Sequence, residues 1–168
     1  VPSFPAGFSV SAFTARRALP ITTLVRSDVS VVSLDVVVDA PGLAVPLAEF
    51  GNYAIDGYIA YTSASGASDL RLGLSVPLYS TGHWAGVALT DSTSGGVGDV
   101  EWLRRELVGG SLSQAGCAGG TAAAVPIHAF VATSTFGGPL QIQFAQLVPS
   151  TSPLTIAAGS WLRATLIT

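Results

Sequence analysis

Asp69-Leu70-Arg71-Leu72-Gly73-Leu74-Ser75-Val76 alternates without a slip: Leu70, Leu72, Leu74 and Val76 fall on one side, and Asp69, Arg71, Gly73 and Ser75 on the other. A period of two is the signature of a strand with one buried face. Pro77 ends it, because proline cannot donate to a sheet ladder. Upstream, Tyr53 to Thr62 has the same rhythm, with Tyr53, Ile55, Gly57, Ile59 and Tyr61 set against Ala54, Asp56, Tyr58 and Ala60. Between the two runs lies Ser63-Ala64-Ser65-Gly66-Ala67-Ser68, a small-residue turn. Two strands joined by such a loop are expected to pair as an antiparallel hairpin.

The same reading extends outward in both directions. Val29 to Asp39 is expected to be one strand, with Val32, Leu34, Val36 and Val38 on its apolar face and Ala40-Pro41-Gly42 closing it. His83 to Thr90, Val125 to Thr135, Leu140 to Leu147 and Trp161 to Ile167 are further strands. Phe136-Gly137-Gly138-Pro139 and Ala157-Ala158-Gly159 are turns, Pro149 to Pro153 is a loop, and the Gly-rich run from Ser94 to Gly98 is a mobile loop. Val100 to Val108 fits a short helix or a strand equally well, and Gly109 to Gly120 is loop with room for one short strand. Eight to ten strands with hardly any helical periodicity mean a sandwich or a closed barrel. The expected fold class is all-β: a single jelly-roll-like β-sandwich over residues 21–168, preceded by an extended N-terminal arm over residues 1–20.

Composition narrows the function. Hydrophobic residues make up 49% of the 168 residues and charged residues 10%, against about 25% charged in an ordinary domain. A surface this short of charge is expected to be covered in part by neighbouring copies. Mean hydropathy is +0.56, yet no run approaches the ~18 apolar residues of a spanning helix. The N-terminus lacks the basic-then-apolar order of a signal peptide. A net charge of −3 leaves no basic footprint for nucleic acid. The basic residues are all arginine, with no lysine and no methionine in the chain, which suits a GC-rich coding genome. Cys117, the single cysteine, is expected to be a small structural residue.

The arm, Val1 to Pro20, holds Phe4, Phe8 and Phe13 with Arg16 and Arg17, and Pro2, Pro5 and Pro20 oppose a helix across it. Each phenylalanine would contribute roughly 1.5–3 kcal/mol if docked in a groove. The groove belongs either to its own domain or to a neighbour.

Two blocks carry a resemblance. The first joins Leu43-Ala44-Val45-Pro46-Leu47, Tyr53 to Tyr61 and Ala67 to Pro77. The second joins Leu140 to Gln146 with Ile156 to Leu162. Together they resemble a virion surface module of actinobacteriophages, found in head-decoration, minor tail and fibre-tip proteins. The likeness runs from residue 43 to the C-terminus and is weak between 83 and 125. It implies a β-sandwich on the virion, trimeric, with no catalytic signature. The heptads or repeats of a fibre shaft are missing from the chain, which favours a small decoration protein over a fibre.

The chemistry of the chain points away from catalysis. His83 and His128 lie far apart in sequence, and neither a Gly-x-Ser-x-Gly elbow nor a phosphate-binding loop occurs. Asp35 and Asp39 would sit roughly 13 Å apart along a strand, too far for a glycosidase pair. Asp56 and Asp69 could approach across the expected hairpin, more naturally as solvent-facing residues that limit edge pairing. No loop has calcium-ligand spacing, and neither cofactor nor metal is expected.

The function expected is that of a non-enzymatic phage virion protein: a homotrimeric decoration protein that binds the major capsid protein and stabilises the assembled head. Phe4, Phe8, Phe13, Arg16 and Arg17 would make its contacts. The alternative is a minor tail or fibre-tip protein that binds host glycan through Tyr79, Trp84 and Trp102. Neither reading involves nucleic acid or membrane.

Overall fold

In the computed structural model the described residues are 19–64, 69–89, 100–106, 113–115 and 122–167. They form twelve strands: β1 (Ile21–Leu24), β2 (Val29–Val31), β3 (Val38–Leu47), β4 (Asn52–Ser63), β5 (Leu70–Ser75), β6 (Thr81–Leu89), β7 (Val100–Glu106), β8 (Ser113–Ala115), β9 (Ala122–Ala132), β10 (Gly138–Gln146), β11 (Leu154–Ile156) and β12 (Trp161–Leu166). No described segment is a helix.

The strands make two sheets. One runs β1-β12-β4-β9-β6-β7, with β11 against β2 and β4, and the other runs β3-β10-β5-β8. All pairs are antiparallel and the pairing is nested: β1 with β12, β3 with β10, β4 with β9, β5 with β8. A chain doubled back on itself and rolled so that successive pairs alternate between two sheets is a jelly roll. β6 with β7 is the innermost of these nested pairs, and it extends the larger sheet past β9.

The expected alternation holds where a strand has one buried face. Tyr53, Ile55, Ile59 and Tyr61 of β4 are buried, as are Leu70, Leu72 and Leu74 of β5 and Leu140, Ile142 and Phe144 of β10. They meet between the sheets, with Val125, Ile127 and Leu162 from the larger sheet and Leu43, Val45 and Leu47 from the smaller. Each such side chain contributes roughly 1.5–3 kcal/mol by leaving water.

Four expectations are corrected. The Tyr53–Thr62 and Asp69–Val76 runs do not form a hairpin: β4 pairs with β9, β11 and β12, whereas β5 pairs with β10 and β8 in the other sheet. β4 and β5 belong to different sheets, so Asp56 and Asp69 do not face each other across a ladder; residues 65–68 of the expected turn lie outside the described residues.

The Val29–Asp39 strand breaks after Val31, because Ser33 has φ 53° and reverses the alternation. The backbone there bonds to Gln146 instead: Gln146 N donates to Leu34 O at 2.8 Å, and Leu34 N donates to Gln146 Oε1 at 3.2 Å. Val32 and Val36 are consequently exposed.

Ala40-Pro41-Gly42 closes nothing. It is an irregularity inside β3, where the register against β10 jumps from Gln141↔Ala44 to Gln143↔Asp39. Gly42 takes φ +83°, and a Cβ there would meet Leu24 O at 3.1 Å, so a side chain is disfavoured twice over.

The strand count also exceeds the eight to ten expected. β2, β8 and β11 are three residues each, too short to show a period. The region that fitted helix or strand is strand, β7.

Candidate functional site

Three loops meet at one end of the sandwich: residues 48–51 between β3 and β4, 76–80 between β5 and β6, and 133–137 between β9 and β10. Thr133 and Ser134 lock them together. Thr133 Oγ1 donates to Ala48 O at 2.7 Å and accepts from Gly51 N at 2.8 Å. Phe50 N donates to Ser134 O at 2.8 Å, and Ser134 Oγ donates to Leu78 O at 2.9 Å. The Tyr53 hydroxyl accepts from Ala48 N at 2.8 Å. Gly137 is packed so closely that a Cβ would lie 2.8 Å from Leu47 O. Bonds that run between different loops hold this end as one rigid piece.

On this frame stand large apolar side chains facing water: Phe50 is 70% exposed, Leu78 60%, Tyr79 72% and Phe136 47%. The rings of Tyr79 and Phe136 lie 5.8 Å apart, tilted by 52°. Phe50 and Tyr79 also have left-handed backbones, φ 52° and 58°. Tyr79 is the third residue of a turn closed by Ser80 N donating to Pro77 O at 3.1 Å, a place where glycine or asparagine is favoured. A side chain in that conformation costs about 1 kcal/mol, and neither ring offsets it by burial. At ~200 Å² per large side chain, the four expose roughly 500 Å².

The outer face of the larger sheet carries a polar ladder. Arg163, Asp56 and His128 occupy facing positions on β12, β4 and β9. Arg163 Nη2 donates to Asp56 Oδ2 at 2.8 Å, and His128 Nδ1 donates to Asp56 Oδ1 at 3.1 Å. The Arg163 guanidinium also lies 5.7 Å from the centre of the Trp161 ring. The hydrogen bond from Arg163, followed by that from His128, holds the Asp56 carboxyl below its ordinary value of 3.8, against an opposing effect of burial.

A lowered carboxylate pKa stabilises the fold above the unfolded value, and that stabilisation is lost as pH falls through the folded one. Asp56→Asn is therefore expected to cost under about 1 kcal/mol at pH 7, because the Arg163 and His128 side chains are 45% and 67% exposed. The difference from wild type should start to shrink near pH 4 and vanish only once pH has fallen through the lowered folded value. Urea titrations at pH 7 and at steps downward from about pH 4 check both statements.

The structure separates the glycan residues expected from sequence. Tyr79 stands at the loop end. Trp84, at 3% exposure, lies in the core on β6, so it is corrected from a loop-side contact to a packing residue. Trp102 is in β7, in register with Val87. His83 and His128, distant in sequence, line one shallow depression with Ala85 and Phe130. Phe4, Phe8, Phe13, Arg16, Arg17 and Cys117 lie outside the described residues. Among the described residues no three His, Cys, Asp or Glu side chains group to hold a metal. Sequence reasoning missed Phe50 and Phe136; the available signal was an aromatic residue directly before a loop glycine, Phe50-Gly51 and Phe136-Gly137.

No protein-family model and no curated protein matches the chain. Among solved structures it is similar to the tripod (BppUct-A-L) from the baseplate of bacteriophage Tuc2009, at 9% identity and a TM-score of 0.40, over 98% of this chain and 72% of that one. It is also similar to a chain of infectious bursal disease virus, Gx strain, at 12% identity and a TM-score of 0.32, over 88% of this chain and 41% of that one.

Proposed function

We propose that the chain is a structural, non-catalytic subunit of the surface of a phage particle, assembled as a homotrimer, with the aromatic loop end as its working end. The observation that carries this reading is the pairing of a sparsely charged body with a rigid end that displays Phe50, Tyr79 and Phe136 to solvent. The Asp56–His128 pair fits a structural role: Arg163 braces it across an open sheet face, where it ties three strands together.

The loop end favours placement on the tail, as a minor tail or fibre-tip protein. Exposed aromatic rings in loops that hold no Lys, Arg or His suit an uncharged amphipathic ligand at a free tip. Decoration of the head, with binding to the major capsid protein, is the other placement. It draws on the low surface charge and on the aromatic arm.

In either placement the arm is the attachment device, through Phe4, Phe8, Phe13, Arg16 and Arg17, and trimerisation multiplies its contacts by avidity. Removing Val1 to Pro20 is expected to leave a folded trimer that no longer binds particles. Co-sedimentation of the full and shortened chains with separated phage heads and tails tests this. Binding of the full chain to tails supports the reading, and binding to heads transfers the protein to decoration. Equal binding by the shortened chain removes the arm from the mechanism.

A further inference from the structure

We propose that the loop end is a binding platform for a neutral oligosaccharide, on which Phe50, Tyr79 and Phe136 present aromatic faces to sugar rings. The proposal deepens the tail placement above by naming the ligand class. Its chemistry stands on the loops themselves.

Four features select this ligand. The exposed side chains are chiefly aromatic, and Tyr79 and Phe136 stay 72% and 47% exposed although their rings lie 5.8 Å apart. Flat rings over C–H-rich faces, with polar groups at the edge, suit an amphipathic ligand. The polar edge is present, since Glu49 and Thr135 are exposed in the same loops.

Charge settles the ligand's sign. Residues 48–51, 76–80 and 133–137 contain one carboxylate, Glu49, and no Lys, Arg or His. An anionic polymer would find no cation there.

Size is the third feature. The exposed apolar area, roughly 500 Å², is that of a single functional patch.

Rigidity is the fourth feature. A weak, small ligand binds best to a surface whose ordering cost was met on folding, and the Thr133 and Ser134 bonds supply that order. The left-handed backbones of Phe50 and Tyr79 show that these rings are not kept for folding, which would be served as well by glycine.

The last point provides the test. Phe50→Gly and Tyr79→Gly relieve the backbone while removing the ring, so both should melt at or near the wild-type temperature. The full chain and both variants are applied to an array carrying neutral hexose and N-acetylhexosamine oligosaccharides beside phosphate-bearing and uronic-acid glycans. The expected result is wild-type binding to neutral members and at least a tenfold weaker signal from each variant. Absence of neutral binders, preference for the anionic glycans, or full binding by the variants overturns the proposal. Self-association through this end without sugar binding, seen in sedimentation and lost in both variants, also overturns it in favour of a contact between copies. Because the array contains no phage component, a failure here is distinct from a failure to bind particles.

Discussion

Phe144→Ala is expected to destabilise the fold by about 3–5 kcal/mol, the range for emptying a phenylalanine site in a packed core. Phe144 is fully buried on β10, the strand that pairs with β3 on one side and β5 on the other. Its register partners are Val38 and Leu72, so no mobile edge is available to collapse into the space. For a domain whose whole stability is of the order of 5–15 kcal/mol, the loss is a large fraction. Urea unfolding should show a lower midpoint with an unchanged slope. A cost under about 1 kcal/mol would mean that the two sheets are not packed as described.

Gln146→Leu should cost about 2–4 kcal/mol, although it replaces a buried polar residue by an apolar one of similar size. Gln146 is fully buried. Its Oε1 accepts from Leu34 N at 3.2 Å and from Ser150 N at 3.0 Å, and its Nε2 donates to Ser152 O at 2.8 Å. Leucine would leave those three backbone groups without their partner; each costs about 1–3 kcal/mol when fully buried, and these, in half-buried residues, recover part of that from water. The damage should be local. Hydrogen exchange is expected to rise in residues 32–37 and 147–153, while the loops around Thr133, at whose ends different bonds act, stay protected. Uniform loss of protection would contradict the independence of the two regions.

The contrast between these two residues explains what the sequence could tell. Phe144 is legible because Leu140, Ile142 and Phe144 repeat with the pleat, and a pleated strand with one buried face must alternate. The pleat says which face is buried and is silent about which strand lies alongside. Hence β4 and β5 were each read correctly as strands and wrongly as neighbours. Gln146 falls inside the expected Leu140–Leu147 strand with no role of its own, since nothing in the residue type announces that its amide serves two other segments. Ser33 likewise gives no warning of its left-handed backbone, whereas Gly42 and Gly159, at φ +83° and +92°, stand where punctuation was expected.

The candidate site was legible in one residue. Tyr79 follows Pro77 in a turn, so its exposure could be anticipated. Trp84 could not be placed, because Gly82-His83-Trp84 resembles a loop margin while the strand already begins at Thr81. Phe50 and Phe136 come from loops far apart in sequence, and only the jelly-roll pairing brings their loops to one end. The arm residues are in a different position: their reading rests on composition, and the particle-binding experiment decides it.

The central claim, that the chain is a subunit of a phage virion, is tested most directly by immunogold electron microscopy of particles purified from the lysate in which the protein is made, with antibody raised against residues 21–168. The account predicts gold at the distal end of the tail. Gold spread over the head would contradict the tail placement and establish decoration, and particles without gold would contradict a virion role altogether.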